Sequence, residues 1–340
     1  MATIMRVAIV GLGFMGLTHL KAYRRIAGVE ITAISSNDPR VLAGDLSHIQ
    51  GNLDIAGEPV DIRAVPKFED AFDCIRQCEA DAVDLCLPTA MHAPAAVEAL
   101  RRGLHVLVEK PMALDGAECA QMIAEARRAG RILMTAQVLR FFPAYQPLIE
   151  AVRNGTLGAM RHALFRRRCA APKWGAWLTD KKQSGGGVFD LLIHDVDMAL
   201  VCFGMPEAVS ATGHEDLAAG IDLVTGQLHY GSGLAVTITG GWHLPSAYPF
   251  SMEYTVVGEN AAIEYSSAGC PPHWYDREKD FEIPLENTDG YQAEIEYFVE
   301  CCRTGQAPER CSPESSAAAV RVARLLDEAR SKRGEPVPCR

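Results

Sequence analysis

The chain has no Cys-x-x-C pair, although it carries 11 cysteines in 340 residues. An odd number of thiols, scattered singly apart from Cys301-Cys302, lacks the spacing of a disulfide frame or a zinc site. The expectation is reduced thiols, no metal and a cytoplasmic location. There is also no window of roughly 18 uncharged apolar residues, so no membrane-spanning helix is expected. No segment clusters enough Lys and Arg to offset the acidic balance: 33 of them against 43 Asp and Glu leave a formal charge of −10. A nucleic-acid or anionic-membrane surface needs a basic patch, so neither is an expected partner. The first apolar run, Val7-Ala8-Ile9-Val10, is too short for a signal-peptide core and leads into a glycine turn, so export is not expected. Repeats and low-complexity tracts are absent.

Apolar residues form 48% of the chain, ample for sizeable cores. At roughly 150 residues per domain the length predicts two. Over residues 1–136, short apolar runs alternate with helical patterns. The runs are Arg6 to Val10, Glu30 to Ser35, Ala82 to Leu87, His105 to Glu109 and Ile132 to Ala136. Helices are predicted at Met15 to Ile26, Pro94 to Arg102 and Leu114 to Ala129, the last closed by Gly130. This alternation predicts a buried parallel sheet. Ser47 to Pro59 reads as a loop. Residues 137–340 read differently. A helix at Tyr145 to Asn154 and one opened by Gly185-Gly186-Gly187 precede strand candidates at Val209 to Gly213, Leu223 to Tyr230, Leu234 to Thr239, Ser251 to Val257 and Ala261 to Tyr265. Short turns between them predict a mostly antiparallel sheet. Helices at Gln292 to Thr304 and Pro313 to Ser331 close the chain and are candidates to pack back on the first domain.

Three motifs carry chemistry. Gly11-Leu12-Gly13-Phe14-Met15-Gly16 lies between a strand and a helix. There Gly11 allows a tight turn, Gly13 lets a pyrophosphate approach the backbone, and Gly16 lets helix and strand pack closely. The helix N-terminus adds N–H donors and positive partial charge for the phosphates. An NAD site usually places Asp or Glu about 20 residues on, to hold the ribose diol. Here the chain reads Ser36-Asn37-Asp38-Pro39-Arg40. Ser36 and Asn37 can donate to a 2′-phosphate and Arg40 can pair with it, which favours NADP over NAD. Asp38 opposes this if it turns inward, and is neutral if it caps the next helix.

Val106-Leu107-Val108-Glu109-Lys110-Pro111 is a buried strand ending in opposite charges. Lys110 at such an end is placed to stabilise a substrate hydroxyl, or else belongs to a surface ion pair. The third motif is the helix opened by the glycine run. At about 100° per residue, Asp190, His194 and Asp197 fall within about 60° on an otherwise apolar helix. Such a stripe must face partners or a cavity. His194 can take a proton from an alcohol, and Asp190 can orient it or hold a neighbouring hydroxyl; the alternative is a satisfied core histidine.

Together with Leu87-Pro88-Thr89-Ala90-Met91-His92 and Arg140-Phe141-Phe142-Pro143, these motifs resemble the Gfo/Idh/MocA oxidoreductase family over about residues 5 to 335. The resemblance implies an α/β protein: an N-terminal Rossmann dinucleotide-binding domain (1–136), then a C-terminal α/β domain with a large, mostly antiparallel open sheet (137–340). It implies an active site between them and a homodimer or homotetramer built through that sheet. The implied activity is NAD(P)-dependent hydride transfer to or from a secondary hydroxyl of a sugar, cyclic polyol or sugar derivative. Lys110 would bond the reacting hydroxyl, His194 remove its proton and Asp190 hold an adjacent hydroxyl. The implied cofactor contacts are Gly11, Gly13, Phe14, Met15, Gly16, Ser36, Asn37, Arg40, Leu87, Pro88, Thr89, His92, Glu109, Lys110 and Gln137. Ser36 stands where many members have an acid, Leu87 and Thr89 replace a common Thr and Asn, and Gln137 often corresponds to His. For substrate, Trp174 and Trp177 suit sugar faces and Arg166 suits a carboxylate or a hydroxyl pair; a domain interface explains them equally. Rival readings are a nicotinamide-retaining sugar eliminase or glycosidase, a reductase of aromatic dihydrodiol or biliverdin type, and a non-catalytic dinucleotide-binding regulator.

Overall fold

Val7, Ala8, Ile9 and Val10 are all fully buried, on both faces of their strand, as a parallel sheet covered by helices requires. The computed structural model describes residues 4–49, 60–172 and 175–339, so most of the expected loop from Ser47 to Pro59 lies outside the described residues. The first elements in chain order are β1 (Met5–Val10), α1 (Phe14–Tyr23), β2 (Val29–Ser35), α2 (Pro39–Leu42), β3 (Lys67–Phe68) and α3 (Ala71–Gln77). They continue as β4 (Ala82–Leu85), α4 (His92–Arg101), β5 (His105–Glu109), α5 (Gly116–Ala129) and β6 (Leu133–Ala136). The described strands form one sheet in the order β3-β2-β1-β4-β5-β6, with every pairing parallel. The strand order turns back between β1 and β4, where the glycine turn emerges, and such a switch point is where open α/β sheets bind ligands. Helix α5 shows how local chemistry sets the boundaries: Asp115 accepts from the Glu118 amide at its start, and Gly130 closes it.

The following elements are α6 (Gln146–Arg153), β7 (Met160–Cys169), α7 (Lys181–Ser184), α8 (Ile193–Phe203), β8 (Ala208–Asp216), β9 (Ile221–His229), β10 (Ala235–Trp242), β11 (Ser251–Gly258), β12 (Ala261–Ser266), β13 (Cys270–Asp276) and β14 (Asp280–Glu282). After them come α9 (Gly290–Thr304), α10 (Pro313–Ser331) and β15 (Val337–Pro338). The second sheet has the order β14-β13-β12-β11-β7-β10-β9-β8-β15 among the described strands. It is antiparallel except where β7 runs parallel to β10. Alternate residues of β9 and β11 are buried, the period-two signature of a sheet covered on one face.

The chain divides into two units, residues 1–138 with 289–317 and residues 139–288 with 318–340. Residues 289–317, expected in the second domain, group with the first, because α9 packs on α1 and the Cys311 thiol donates to the Thr135 carbonyl oxygen. Among the described residues no helix is long and apolar enough to cross a membrane.

Candidate functional site

The glycine turn is fastened from below. The Gly11 and Leu12 amides both donate to the Ser35 carbonyl at the end of β2, at 3.2 and 2.8 Å. Gly11 has φ +99°, and a Cβ there would sit 2.4 Å from the Cys86 carbonyl oxygen. A Cβ on Gly16 would lie 2.2 Å from the Gly11 oxygen, so helix and turn touch at that point. Gly13 is different. Its φ of −94° suits any residue, and a Cβ there meets nothing within 4 Å. Neither backbone strain nor packing within the protein demands glycine at that position, whereas close approach of a ligand to the backbone does. Helix α1 starts there without a side-chain cap or an acidic residue in its first turn, leaving its positive end uncompensated.

Gln137, at the end of β6, supplies a second sign of a missing partner. It is 1% exposed, yet neither side-chain amide atom makes a hydrogen bond among the described residues. A buried amide in that state calls for a ligand or water. The turn, the uncapped helix and this amide fit a bound dinucleotide.

The segment after β2 shows how its charges are paired. Asp38 caps α2 by accepting from the Arg40 amide at 2.8 Å, and its other oxygen lies 2.6 Å from the His48 ring. It takes the helix-capping role. Arg40, expected to meet a 2′-phosphate, is turned to Asp45, with its Nε donating at 3.0 Å. Ser36 is buried, and its hydroxyl accepts from the Asp38 amide at 3.2 Å.

Two other expected cofactor contacts are committed inside their own unit. The ring nitrogens of buried His92 lie 2.8 Å from the Pro111 and Leu87 carbonyl oxygens, so the imidazole ties together the loops carrying Leu87-Pro88-Thr89 and Lys110-Pro111. The Glu109 carboxylate accepts from the Lys110 amide at 2.9 Å and meets the His19 ring at 3.2 Å. Both side chains therefore shape the loops that would touch a cofactor. Lys110 itself is half-buried just past the carboxyl end of β5.

In the second unit, the helix bearing Asp190 and His194 begins as a π-helical turn, Val188–Leu192, and becomes regular only at Ile193. The rotation per residue assumed for a uniform α-helix fails across that turn. Asp190 and His194 are half-buried among fully buried neighbours. Asp197 does not share their stripe: it is 1% exposed and held by Arg140, whose Nε donates to it at 2.9 Å. Asp195, next to His194 in the chain, is likewise buried and takes 2.8 and 3.2 Å bonds from Arg167 of β7. Burial raises the Asp195 carboxyl above its usual range in spite of that arginine. Two buried Arg–Asp pairs thus anchor the helix directly after His194. The glycine run ahead of the helix serves packing, since a Cβ on Gly186 would lie 2.5 Å from buried Asp222.

The substrate-side expectations fare unevenly. Trp174 lies outside the described residues. Trp177 is half-buried against a cluster of Leu178, Leu191 and Trp242. Arg166 pairs with Glu253, which also takes a 2.8 Å bond from Arg168, so its guanidinium serves the sheet. Sequence reasoning missed Arg167, Arg140 as a helix anchor, and His19. The available signal was Asp84: a carboxylate in the otherwise apolar strand Ala-Val-Asp-Leu must have a buried partner.

Residues 5–137 match the family model described as an oxidoreductase family with an NAD-binding Rossmann fold, and residues 145–264 match the model of the GFO/IDH/MocA C-terminal domain. The chain is 30% identical to a D-glucoside 3-dehydrogenase of Escherichia coli over 66% of its own length and 61% of that protein. It therefore matches less than two thirds of that relative. It is 29% identical to a D-xylose 1-dehydrogenase (NADP(+)) of Haloferax volcanii, over 73% of this chain and 76% of the other. The fold is that of an aldose-aldose oxidoreductase from Caulobacter crescentus, with a TM-score of 0.82 at 22% identity and coverage of 98% and 99% of the two chains. With its parallel sheet matched by one model of the family and strands β7 to β11 of the second sheet by another, the chain belongs to the Gfo/Idh/MocA family of oxidoreductases.

Proposed function

We propose that the protein is an NAD(P)-dependent oxidoreductase acting on a secondary hydroxyl, or the matching carbonyl, of a sugar, cyclic polyol or sugar derivative. The observation that carries this reading is the pair Asp190 and His194, the half-buried polar positions on a helix whose other acids are consumed by arginines. His194 takes the hydroxyl proton, Lys110 donates a hydrogen bond to the same oxygen, and Asp190 holds a neighbouring hydroxyl. Gly11 to Gly16, Ser36, Asn37, Leu87 to Thr89 and Gln137 hold the dinucleotide, which when bound supplies the hydride-carrying nicotinamide. The sugar dehydrogenases among the relatives support the substrate class. A panel of aldoses, glycosides, inositols and sugar acids, followed by nicotinamide absorbance with each cofactor, tests it. Turnover of one class supports the reading, and consumption of sugar without net change in the cofactor refutes it.

NADP is the preferred cofactor. Ser36 presents no charge to a 2′-phosphate, and Asp38 is engaged with the Arg40 amide and His48. Binding the phosphate requires Arg40 to leave Asp45, an exchange between exposed partners that costs little. NADPH is expected to bind about tenfold more tightly than NADH, roughly 1.4 kcal/mol, in a fluorescence titration. Equal constants would remove the argument from Ser36.

Gly13→Ala is expected to weaken dinucleotide binding about tenfold or more while leaving the unfolding midpoint nearly unchanged, because the new methyl enters open space. Calorimetric titration beside a melting curve separates the two effects. The nine-stranded sheet is the surface proposed for homodimer or homotetramer formation, checked by sedimentation. The free state of the eleven cysteines among the described residues supports a reducing, cytoplasmic location.

A further inference from the structure

The least expected polar group in the first unit lies beneath the turn that carries Lys110. His19, on the inner face of α1, is fully buried, and its Nδ1 stands 2.8 Å from Asp84 Oδ2. Its Nε2 stands 3.2 Å from Glu109 Oε1, while Glu109 Oε2 accepts from the Lys110 amide at 2.9 Å. The Asp84 contact is a hydrogen bond and the Glu109 contact a close ion-pair approach without hydrogen-bond geometry, so a protonated ring is attracted to both buried carboxylates. We infer that His19 is a positioning residue for Lys110: its ring fixes the Glu109 carboxylate between Asp84 and the Lys110 backbone, and so sets where the lysine emerges from the end of β5.

The charge state agrees with the geometry. Burial disfavours the imidazolium, but the charge and hydrogen bond of Asp84, with a contribution from Cys86, raise the His19 pKa well above its usual value. Burial likewise opposes the Glu109 anion, and His19 together with Lys110 brings it below the usual carboxylate range. Tyr291 on α9 also faces the ring, with its ring centre 6.4 Å away, and Tyr23 on α1 lies near Asp84 and Cys86; burial raises both phenols, so they are neutral. Burial also raises the Cys86 thiol, whose sulfur is 3.6 Å from Nδ1. His19, Asp84 and Cys86 lie at spacings that a metal ion could also bridge. The direct 2.8 Å contact between Nδ1 and Asp84 has the length of a hydrogen bond.

This inference rests on the proposed role of Lys110, and its test is chosen to fail separately from that role. Asp84→Asn keeps the shape but removes the charge that holds the imidazole protonated. The amide resonance of Lys110, followed by NMR in the dinucleotide-free protein, is expected to titrate with His19, and in Asp84→Asn its midpoint is expected at least about one pH unit lower. The alkaline limb of kcat moves down by the same amount, while the dinucleotide dissociation constant changes less than about threefold. His19→Gln abolishes the titration and lowers kcat about tenfold. A Lys110 amide titration that is the same in Asp84→Asn and His19→Gln as in the unaltered protein overturns the proposal, and so does stoichiometric zinc that is lost with His19. If the NMR shift moves as expected but Lys110→Ala keeps full turnover, the function assigned to Lys110 fails while the link to His19 stands.

Discussion

Lys110→Ala and His194→Ala are each expected to lower kcat by about 10² or more while the dinucleotide dissociation constant stays within about threefold. Each removes a group that the account gives to a single oxygen: one donor that steadies developing negative charge, and one base that accepts the proton. Both positions are half-buried rather than packed into a core, so truncation leaves the fold intact, and the loss is read in turnover rather than in yield. Asp190→Asn retains a hydrogen-bonding group of the same shape and should cost less than either, with the larger part in KM. Steady-state kinetics on the identified substrate and a fluorescence titration of the cofactor separate these outcomes. Full activity in either alanine variant would contradict the assignment.

The second large effect concerns stability. Asp195→Ala is expected to destabilise the second unit by about 3–5 kcal/mol, because it strands the Arg167 guanidinium with 2% exposure in the core. The paired replacement Arg167→Met with Asp195→Leu removes both charges at once and should recover most of that loss, as apolar substitutes for buried ion pairs generally do. The recovered protein is nevertheless expected to turn over slowly, because the helix carrying His194 has lost an anchor on one side of that residue. Equilibrium urea unfolding measures the first effect and kcat the second. Similar stability in all three proteins would show that the pair carries little of the packing around α8.

Much of the first unit was legible because its physics is local. Four consecutive buried aliphatic residues before a glycine turn announce β1, and Asp115 with Gly130 brackets α5. The second unit was harder for identifiable reasons. Strand β7 reads Met-Arg-His-Ala-Leu-Phe-Arg-Arg-Arg-Cys, and the inward alternation of Ala163 and Phe165 continues onto Arg167, a charge where an apolar residue is expected. Its partners are distant in sequence: Asp195 pairs with it, and Tyr145 and the Phe250 ring also face its guanidinium. Strand β13 contains Pro271 and Pro272, which argue against a strand interior, and β14 is short and exposed. A stripe of Asp190, His194 and Asp197 requires a uniform helix; the π-helical turn Val188–Leu192 breaks that regularity ahead of His194, and Arg140 holds Asp197 in the core. At the nucleotide end the motif was plain, but the competition of Asp45 for Arg40 and of His48 for Asp38 depends on side-chain direction, which spacing does not encode.

The most direct measurement of the central claim is mass spectrometry of the dinucleotide after turnover of carbon-deuterated sugars and inositols. The account predicts one deuterium in the reduced nicotinamide for each carbonyl formed, and near-complete loss of that transfer in His194→Ala. Substrate consumed with no deuterium reaching the cofactor pool, as in elimination or hydrolysis, would contradict it.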